Sequence, residues 1–332
     1  AIPVGGDTGL KDLEKLCNEG EITISEKKGE VKDYSYVRDE YVKYLRGFCP
    51  DIEDLDISID CSNGMSSLII KDVLKDDSIH YIYDTFDGSF PNHEPNPLDE
   101  RNCEDIKRET LKNRSDVGII YDGDADRVMF IDEKGRFIQP DYITAVLGCY
   151  YKKKGLSGNS LVDVRTSRST TEYLESIGFP PTLWKVGHAF AKMKIREIDA
   201  VFGGELAGHY YFRKDFFNCD SGILASLLVL SVVKSLKEEG RTLSQLIDSI
   251  VKYSNTGEVK DECISRMLEH FKSENPIKIL SFDGYRIEFP SWWFSIRKSN
   301  TEPYLRIVLE AQSKEEMENR LKEIKDIIGQ FK

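Results

Sequence analysis

The chain has 332 residues, of which 40% are hydrophobic and 31% are charged, and its formal net charge is -12. This length predicts two or three domains, and the composition excludes a low-complexity or disordered chain. The negative charge repels polyanions, which argues against nucleic acid as a partner. The seven cysteines form no CxxC pair, so neither a disulfide framework nor a zinc site is indicated, and the cytoplasm is the expected location.

No membrane partner is expected. The longest apolar run, at 221–236, is shorter than a membrane span and predicts a buried helix. The amino terminus has neither a basic start nor a long apolar segment, so no signal peptide is visible.

The first elements predict an α/β unit. The opening segment predicts a helix that starts at Asp7 or Thr8, carries Leu10 and Leu13 on an apolar face and ends at Gly20. A second helix and an alternation of strands and helices follow, which is an α/β layer pattern. We predict helices at 35–48 and 66–75, strands at 55–60, 79–83 and 117–121, and a hairpin at 128–140.

A second α/β unit and a different carboxyl-terminal part are predicted next. The second unit has helices at 141–153, 169–178 and 188–198, strands at 160–165, 181–186 and 200–205, and the long apolar helix. Beyond residue 253 the pattern changes to antiparallel strands at 285–290, 292–299 and 305–312, with a final helix at 313–329. The predicted divisions are 1–32, 33–137, 138–252 and 253–332.

Three aspartates, Asp122, Asp124 and Asp126, occupy alternate positions between two apolar stretches, and Arg127 follows them. A bound hard cation would relieve their mutual repulsion, although a solvated acidic turn is the structural alternative. A helix-loop-helix calcium loop would place Glu133 at its twelfth position, but it needs glycine where Arg127 stands and helices where strands are predicted. The residues suit Mg²⁺, and Arg127 could hold a phosphate beside it.

Two further stretches carry groups that could bind a ligand. The stretch 202–212 places glycines, Glu205 and His209 at a strand end, where α/β folds bind ligands. Glu205 can accept hydrogen bonds from sugar hydroxyls and His209 titrates near neutral pH, but a buried structural histidine is an equal alternative. Lys185 and His188 lie at a strand-to-helix junction that favours anions, or they are simply a surface cation and a helix cap.

A polar loop between two late strands predicts a phosphate site. Its guanidinium, hydroxyl and amide groups are convergent donors for a dianion, and the alternative is a turn with surface cations. The residues are Arg297, Lys298, Ser299, Asn300 and Thr301.

Ser89 and His93 could form a nucleophile pair. They lie in a rigid, proline-rich loop, and no paired acid is evident in the sequence. The alternative is a rigid, extended structural loop.

These motifs, in this order, resemble the α-D-phosphohexomutase superfamily, which includes phosphomannomutases and phosphoglucomutases. The matching stretches are FPNHEPNP at 90–97, DGDADR at 122–127, KVGH at 185–188, GGELAGH at 203–209 and RKSNTEP at 297–303. The resemblance covers the chain from end to end and implies a deep cleft between domains. The expected fold class is α/β, with two three-layer α/β phosphohexomutase-type domains and a C-terminal α+β domain with an antiparallel sheet. Residues 1–32 would then be the end of a first domain.

The resemblance also implies roles for individual residues. It implies that three aspartates bind Mg²⁺, that Arg127 lies beside the transferred phosphoryl group and that Glu205 holds sugar hydroxyls. His209 and either Lys185 or His188 would assist proton transfer and orientation. The non-reacting phosphate would be held by Arg297, Ser299, Asn300 and Thr301. The metal ligands would be Asp122, Asp124 and Asp126.

Two departures from the family pattern affect the expected function. Leu206 and Ala207 stand where the family commonly has Met-Ser, so one hydroxyl contact to the sugar is absent. The family's phosphoserine segment, which resembles TASHNP, does not occur in this sequence. The expectation is therefore a phosphohexomutase for mannose or glucose phosphates that is inactive without the phosphoserine domain, with glucose 1,6-bisphosphate as activator. The alternative is a naturally short, catalytically silent sugar-phosphate-binding protein. Either would be a monomer or a homodimer.

Overall fold

The structure is a computed structural model that describes residues 3–20, 25–261, 270–298 and 305–329. Within these ranges the strands form three five-stranded sheets. The two α/β units and the C-terminal antiparallel sheet that the sequence predicts are confirmed. The exact divisions at residues 32, 137 and 252 remain predictions.

The amino-terminal helix lies on the surface. A π-helical turn, Gly6–Leu10, leads into α1 (Lys11–Glu19), so the predicted starts fall inside that turn. Gly20 ends α1 with φ of 78°, a left-handed conformation that glycine adopts at little cost. The predicted apolar face is exposed, because Leu10 and Leu13 are both more than half accessible.

The first sheet has the strand order β2-β1-β3-β4-β5. β1 pairs in parallel with β2 and β3, whereas β3–β4 and β4–β5 are antiparallel. The strands are β1 (Ile57–Asp60), β2 (His80–Ile82), β3 (Val117–Tyr121), β4 (Val128–Asp132) and β5 (Phe137–Ile138). The helices of this unit are α2 (Tyr36–Arg46), α3 (Ile70–Leu74) and α4 (Glu104–Asn113).

The helix predicted at 66–75 is shorter than expected. Residues Met65–Leu68 form a 3₁₀ turn, and only α3 is α-helical. Ile69 separates the two with φ of -131°, and Lys75 ends α3 in the left-handed region. The helix buries Ile70, Val73 and Leu74, whereas Met65 and Leu68 of the turn are exposed, and the apolar spacing of the sequence does not reveal this break.

The second sheet has the order β10-β9-β8-β6-β7, with β6 parallel to β7 and β8 and the remaining pairs antiparallel. The strands are β6 (Ser160–Asp163), β7 (Pro181–Trp184), β8 (Phe202–Gly204), β9 (Tyr210–Phe212) and β10 (Cys219–Asp220). The hairpin of β9 and β10 was not predicted, because these strands are too short to show an alternating pattern. The helices are α5 (Pro140–Lys153), α6 (Arg168–Ser176), α7 (His188–Glu197), α8 (Gly222–Glu238) and α9 (Leu243–Ile250).

The third sheet is antiparallel throughout and has the order β11-β15-β14-β13-β12. Its own apolar cluster is centred on Phe271, Trp292 and Phe294. The strands are β11 (Ser254–Asp261), β12 (Lys278–Leu280), β13 (Tyr285–Glu288), β14 (Trp292–Lys298) and β15 (Leu305–Ala311), followed by helix α10 (Lys314–Gly329).

Helices α5 and α8 join the first two sheets. The largest apolar cluster runs from the strands of the first sheet through both helices to the second sheet. The Tyr121 hydroxyl at the end of β3 lies 2.6 Å from the Ser226 hydroxyl on α8. The long apolar run is therefore a buried helix, as predicted, and no helix in the described ranges is long and apolar enough to cross a membrane.

Candidate active site

The three aspartates lie on a tight loop between β3 and β4. Asp122 is buried, Asp126 is half-buried and Asp124 is exposed, and one carboxylate oxygen from each lies within 4.8 Å of the other two. The chain reverses at Ala125, whose φ is 63°. The antiparallel pairing of β3 with β4 brings the carboxylates together.

The electrostatics of this loop favour a cation. Burial raises the pKa of Asp126 to about 7, and the carboxylates of Asp122 and Asp124 add to the increase against the opposing effect of His209. Burial also raises the pKa of Asp122, although Arg127 opposes it. All three carboxylates must be ionised to act as metal ligands, and three ionised carboxylates repel one another. A bound divalent cation would offset this repulsion.

The calcium-loop alternative is not supported by the structure. The loop is flanked by strands, and the Glu133 carboxylate accepts a hydrogen bond at 3.1 Å from the Ser244 amide on α9. Glu133 therefore contacts α9 and does not join the aspartates.

Arg127 links the aspartate loop to two other loops. Its Nε donates to Asp122 Oδ2 at 2.6 Å, and its Nη1 donates to Asn96 Oδ1 at 3.2 Å. Its backbone also forms an isolated antiparallel bridge with His209. These contacts fix the guanidinium at the meeting point of the 90–97 loop, the aspartate loop and the 203–209 loop.

Glu205 is buried at the end of β8. Its carboxylate accepts a hydrogen bond at 2.8 Å from the Tyr211 hydroxyl, and the Gly187 amide lies 3.3 Å from both of its oxygens. Burial raises the pKa of Glu205, and the negative charge of Asp163 adds to the increase. The acceptor is therefore held in one orientation beside the start of α7.

His209 and His188 lie side by side, with ring centroids 5.9 Å apart and planes 21° from parallel. Burial alone would lower the pKa of His209, but Asp220, Glu205 and Asp126 outweigh it and raise that pKa. Burial and Lys192 lower the pKa of His188. The pKa values of the two imidazoles are thus shifted in opposite directions. This suits His209 for holding a proton and His188 for accepting one.

A cavity of about 320 Å³ brings these groups together with residues from all three sheets. Four arginines and one carboxylate, that of Glu205, line it, so basic side chains outnumber acidic ones in the lining although the whole chain is acidic. The lining residues are Asn96, Leu98, Arg127, Arg165, Val186, Gly187, His188, Glu205, Ala207, His209, Arg297 and Arg306. A pocket of this size with convergent charged groups fits a small phosphorylated ligand.

Arg165 and Arg306 were not predicted from the sequence. Arg165 follows β6, and its Nη2 donates to Asp163 Oδ2 at 2.7 Å. Arg306 lies opposite Arg297 in the register of β14 and β15. The DVR stretch at the end of a predicted strand could have indicated Arg165 as a ligand-binding residue. The sequence around Arg306 does not differ from that around any other arginine in a strand.

The other predicted residues differ in their positions. Arg297 is buried on β14 and lines the cavity, whereas Ser299, Asn300 and Thr301 lie outside the described residues. Lys185 is not among the described lining residues, and its Nζ lies 5.4 Å from the centroid of the Phe190 ring.

The Ser89 and His93 side chains contact different partners. The Ser89 hydroxyl donates to Asp87 Oδ1 at 2.8 Å, whereas His93 Nε2 lies 3.1 Å from Asp60 Oδ2. His93 is therefore paired with Asp60 and not with Ser89. The Asp87 carboxylate is a weak base, because its hydrogen bonds from Ser89 lower its pKa.

Leu206 has a structural role. Its side chain is buried against Trp293 and Val308, so it docks the 203–209 loop onto the third sheet. The neighbouring Ala207 lines the cavity and offers no hydroxyl group.

The fold and the cavity define a class of α/β protein that gathers arginines, a buried carboxylate and an acidic loop around one cavity. Family models agree with this class: the phosphoglucomutase/phosphomannomutase alpha/beta/alpha domain II matches residues 39–135, and domain III matches residues 139–253. A phosphomannomutase of Escherichia coli strain K12 is 34% identical, with 94% of this chain and 71% of the relative covered. One of Methanocaldococcus jannaschii is 33% identical, with coverage of 100% and 74%. The chain therefore belongs to the phosphoglucomutase/phosphomannomutase family.

Solved structures show the same fold. A phosphoglucomutase/phosphomannomutase family protein from Burkholderia thailandensis superposes with a TM-score of 0.85 at 23% identity, covering 98% of this chain and 70% of that one. An N-acetylphosphoglucosamine mutase from Aspergillus fumigatus, solved with GlcNAc-6P and magnesium, has a TM-score of 0.60 at 16% identity and covers 85% and 68%.

Proposed function

We propose that the cavity binds a hexose monophosphate and serves the interconversion of hexose 1-phosphate and hexose 6-phosphate. The observation that carries this proposal is the convergence of Arg127, Arg165, Arg297 and Arg306 on one cavity next to the aspartate loop. One guanidinium group can donate hydrogen bonds to two oxygens of the same phosphate. The four arginines together can therefore hold a phosphate dianion at either end of a sugar.

The aspartate loop fits Mg²⁺. Three carboxylates with oxygens within 4.8 Å of one another form a hard-oxygen donor set, which is the set that Mg²⁺ prefers. The metal ion, when bound, would supply charge neutralisation for phosphoryl transfer. Its ligands would be Asp122, Asp124 and Asp126.

The remaining residues then have distinct roles. Arg127, fixed by Asp122 and Asn96, would stabilise the charge on the transferred phosphoryl group. Glu205 would accept hydrogen bonds from two sugar hydroxyls, and His209 and His188 would hold or move the proton of the reacting hydroxyl. The distal phosphate would be held by Arg297, Ser299, Asn300 and Thr301, with Lys185 at the edge of the site.

We propose mannose and glucose phosphates as substrates. Ala207 lines the cavity without a hydroxyl, so recognition of the sugar depends on Glu205 and on shape. The relatives from Escherichia coli and Methanocaldococcus jannaschii are named phosphomannomutases, which favours mannose.

The family resemblance assigns the first transfer to a phosphoserine, and residues 1–332 contain no such segment. We propose that these residues alone bind sugar phosphates without turnover. A phosphoserine domain would complete the site, and glucose 1,6-bisphosphate would maintain its phosphorylation. A serine-to-alanine variant of the Aspergillus fumigatus N-acetylphosphoglucosamine mutase was solved with glucose 1,6-bisphosphate, which supports a bisphosphate as a ligand of this fold.

Calorimetry tests the binding half of this proposal. Mannose 6-phosphate and free mannose are titrated into the chain with and without Mg²⁺. We expect binding of the phosphate ester and at least about tenfold weaker binding of the free sugar, because the charge-assisted contacts are lost. Equal affinity for the two sugars would exclude a phosphate site.

A further inference from the structure

His93 in the 90–97 loop has an oxygen acceptor at each ring nitrogen. Its Nδ1 donates to the Glu94 carbonyl at 2.9 Å, and its Nε2 lies 3.1 Å from Asp60 Oδ2 at the end of β1. The His93 side chain is only 10% accessible, and that of Asp60 is fully buried. His93 is therefore enclosed between two oxygen atoms, and the function proposed above gives it no role.

This geometry requires one proton more than a neutral histidine carries. A neutral imidazole has a single N–H group, and that group is at Nδ1 because the Glu94 carbonyl can only accept. The contact between Nε2 and the Asp60 carboxylate then needs a second proton, because otherwise two acceptors would face each other. His93 is therefore an imidazolium beside a carboxylate.

The charged groups around His93 favour the additional proton. Burial alone would lower the pKa of His93, but Asp60, the Glu94 carbonyl and Asp105 on α4 outweigh it and raise that pKa. The Tyr83 ring packs against the imidazole with centroids 5.4 Å apart, and the Tyr83 hydroxyl donates to Asp105. Arg108 also pairs with Asp105, but its side chain is 74% accessible, so water screens its opposing charge.

A short series of contacts joins His93 to the guanidinium of Arg127. The Glu94 carbonyl accepts from His93 and also from the Asn96 amide at 2.8 Å, and Asn96 Oδ1 accepts from Arg127 Nη1 at 3.2 Å. The loop is also strained, because Phe90 has φ of 49°, a left-handed conformation that is unfavourable for a bulky residue. The loop therefore depends on its anchors to keep Asn96 beside Arg127.

Neutral amide groups also anchor the 90–97 loop. Asn92 Nδ2 donates to Asn63 Oδ1 at 2.7 Å, and Asn102 Nδ2 donates to the Asn96 carbonyl at 2.9 Å. Amide groups do not titrate near neutral pH, whereas an imidazolium does.

We propose that His93 is a positioning residue for the phosphate-binding cavity. Its imidazolium binds Asp60 and the Glu94 carbonyl and thereby holds the loop, and Asn96 then fixes Arg127 for the phosphate group. The additional proton is fully present below about pH 6.5 and is lost as the pH rises through the raised pKa. Nε2 then faces the Asp60 carboxylate as a second acceptor, and the loop must move to relieve the repulsion. The phosphate contact rests on the proposed function, but the protonated pair does not.

Histidine titration by NMR tests the protonated pair. The five histidines are followed from pH 5 to pH 10, and the signal that is absent from His93→Gln identifies His93. We expect a titration midpoint above about 6.5 and a lower midpoint in Asp60→Asn. In that variant Oδ1 can still accept from the Ser62 amide, now 2.7 Å away, and the amide nitrogen can donate to Nε2 of a neutral His93. A midpoint at or below about 6.5 in the unmutated chain would overturn the proposal.

Affinity for mannose 6-phosphate tests the positioning role. Calorimetry at pH 6 and pH 9 compares each variant with the unmutated chain at the same pH, so titration of the ligand itself cancels. We expect His93→Gln to bind about tenfold more weakly at pH 6, the lower end of the cost of losing a hydrogen bond to a charged group, and nearly equally at pH 9.

Two further variants complete the comparison. Asp60→Asn should bind as the unmutated chain does at pH 6 and about tenfold more tightly at pH 9, because a neutral His93 satisfies both of its contacts there. His80→Gln, at the exposed first residue of β2, is the control and should match the unmutated chain at both pH values.

The pattern across the two pH values decides the role. Weaker binding by His93→Gln that is the same at pH 6 and pH 9 would show a structural contact and overturn the proposal. Unchanged affinity in His93→Gln at both pH values, with unchanged circular dichroism, would show that the loop does not position Arg127. Absence of mannose 6-phosphate binding in every protein would refute the proposed function and the positioning role with it. A raised midpoint of His93 in that case would leave the protonated pair standing, so the two failures are distinguishable.

Discussion

At the residue scale, the charged groups of the cavity are positioned by buried partners. Arg165 is held by Asp163, whose carboxylate also accepts a hydrogen bond at 2.8 Å from the Leu206 amide. Burial alone would raise the pKa of Asp163, but Arg165 outweighs it and the pKa is lowered. This carboxylate therefore stays ionised and holds the guanidinium and the 203–209 loop together.

Replacing Arg297 tests the phosphate contact. Arg297→Ala removes one partly desolvated guanidinium, and a charge-assisted hydrogen bond is worth about 1.5 to 3 kcal/mol. We expect mannose 6-phosphate to bind about 10- to 100-fold more weakly in calorimetry. Arg108→Ala, at an exposed position on α4, is the control and should bind normally. Equal affinity of the two variants for mannose 6-phosphate would show that Arg297 does not bind the phosphate.

Replacing Asp124 tests the magnesium ligands. Asp124→Asn removes one of three anionic ligands, so the variant should bind Mg²⁺ at least about tenfold more weakly. Titration calorimetry measures this affinity, with Asp39→Asn on the exposed face of α2 as the control. An unchanged affinity for Mg²⁺ in Asp124→Asn would contradict the assignment.

At the element scale, the start of α8 supports the aspartate loop. The Gly222 amide donates to the Ala125 carbonyl at 3.1 Å, and Ser221 caps the helix by accepting from the Leu224 amide at 3.1 Å. A Cβ atom at Gly222 would lie 2.8 Å from the Ala125 carbonyl oxygen and 2.9 Å from that of Arg127. The helix can approach the loop this closely only because residue 222 has no side chain.

Gly222→Ala should therefore disturb the metal site without touching a ligand. Overpacking of this kind costs about 1 to 3 kcal/mol, and the loop must move to relieve it. We expect weaker Mg²⁺ binding and a lower thermal-unfolding midpoint. Gly29→Ala, where a Cβ atom would meet nothing within 4 Å, is the matched control. Full Mg²⁺ affinity in Gly222→Ala would show that the loop does not depend on α8.

At the scale of the whole molecule, the second and third sheets meet at the start of α6. The Ser167 amide donates to Asp141 Oδ2 at 2.9 Å, and the next amide, of Arg168, donates to Glu310 Oε1 at 2.8 Å. Glu310 belongs to β15 of the third sheet. The joint therefore places two buried carboxylates next to each other.

This joint predicts a pH-dependent stability. Burial raises the pKa of Asp141 to about 7, and Glu310 adds to the increase against the opposing Ser167 amide. The folded state then binds the proton of Asp141 more tightly than the unfolded state does. The contribution of this carboxyl group to the free energy of unfolding is therefore largest below about pH 4 and decreases as the pH rises to about 7. Asp141→Asn cannot ionise at this position. Its thermal-unfolding midpoint minus that of the unmutated chain should therefore be larger at pH 8 than at pH 5. A difference between the two proteins that is the same at both pH values would contradict this assignment.

Turnover is also a property of the whole molecule. A coupled assay with mannose 1-phosphate and glucose 1-phosphate should show no turnover by residues 1–332 alone, because Ser89 is paired with the weakly basic Asp87 carboxylate and His93 with Asp60. Fusion of a phosphoserine domain of the family should produce conversion that glucose 1,6-bisphosphate sustains. Binding without turnover in that fusion would favour a silent sugar-phosphate-binding protein. Robust turnover by residues 1–332 would make Ser89→Ala the next variant to test.

The sequence by itself determined most of the elements and the groups that are close along the chain. Asp122, Asp124 and Asp126 are two residues apart, so a single turn between β3 and β4 brings them together wherever that turn lies in the fold. Glu205 and His209 are likewise neighbours in one loop, and the apolar run of α8 predicts its burial directly. Local spacing and hydrophobic period contain this information.

The tertiary structure decided which of these groups meet and what holds them. Asp220 is 94 residues from Asp126 in the chain, and it reaches His209 only through the short hairpin of β9 and β10. Arg165 and Arg306 enter the cavity from the second and third sheets, and a strand arginine has the same local pattern whether it lines a cavity or faces water. Burial lowers the pKa of His188, whereas the carboxylates of Asp220, Glu205 and Asp126 outweigh burial and raise the pKa of His209. Both effects depend on packing between distant elements, which no local pattern encodes.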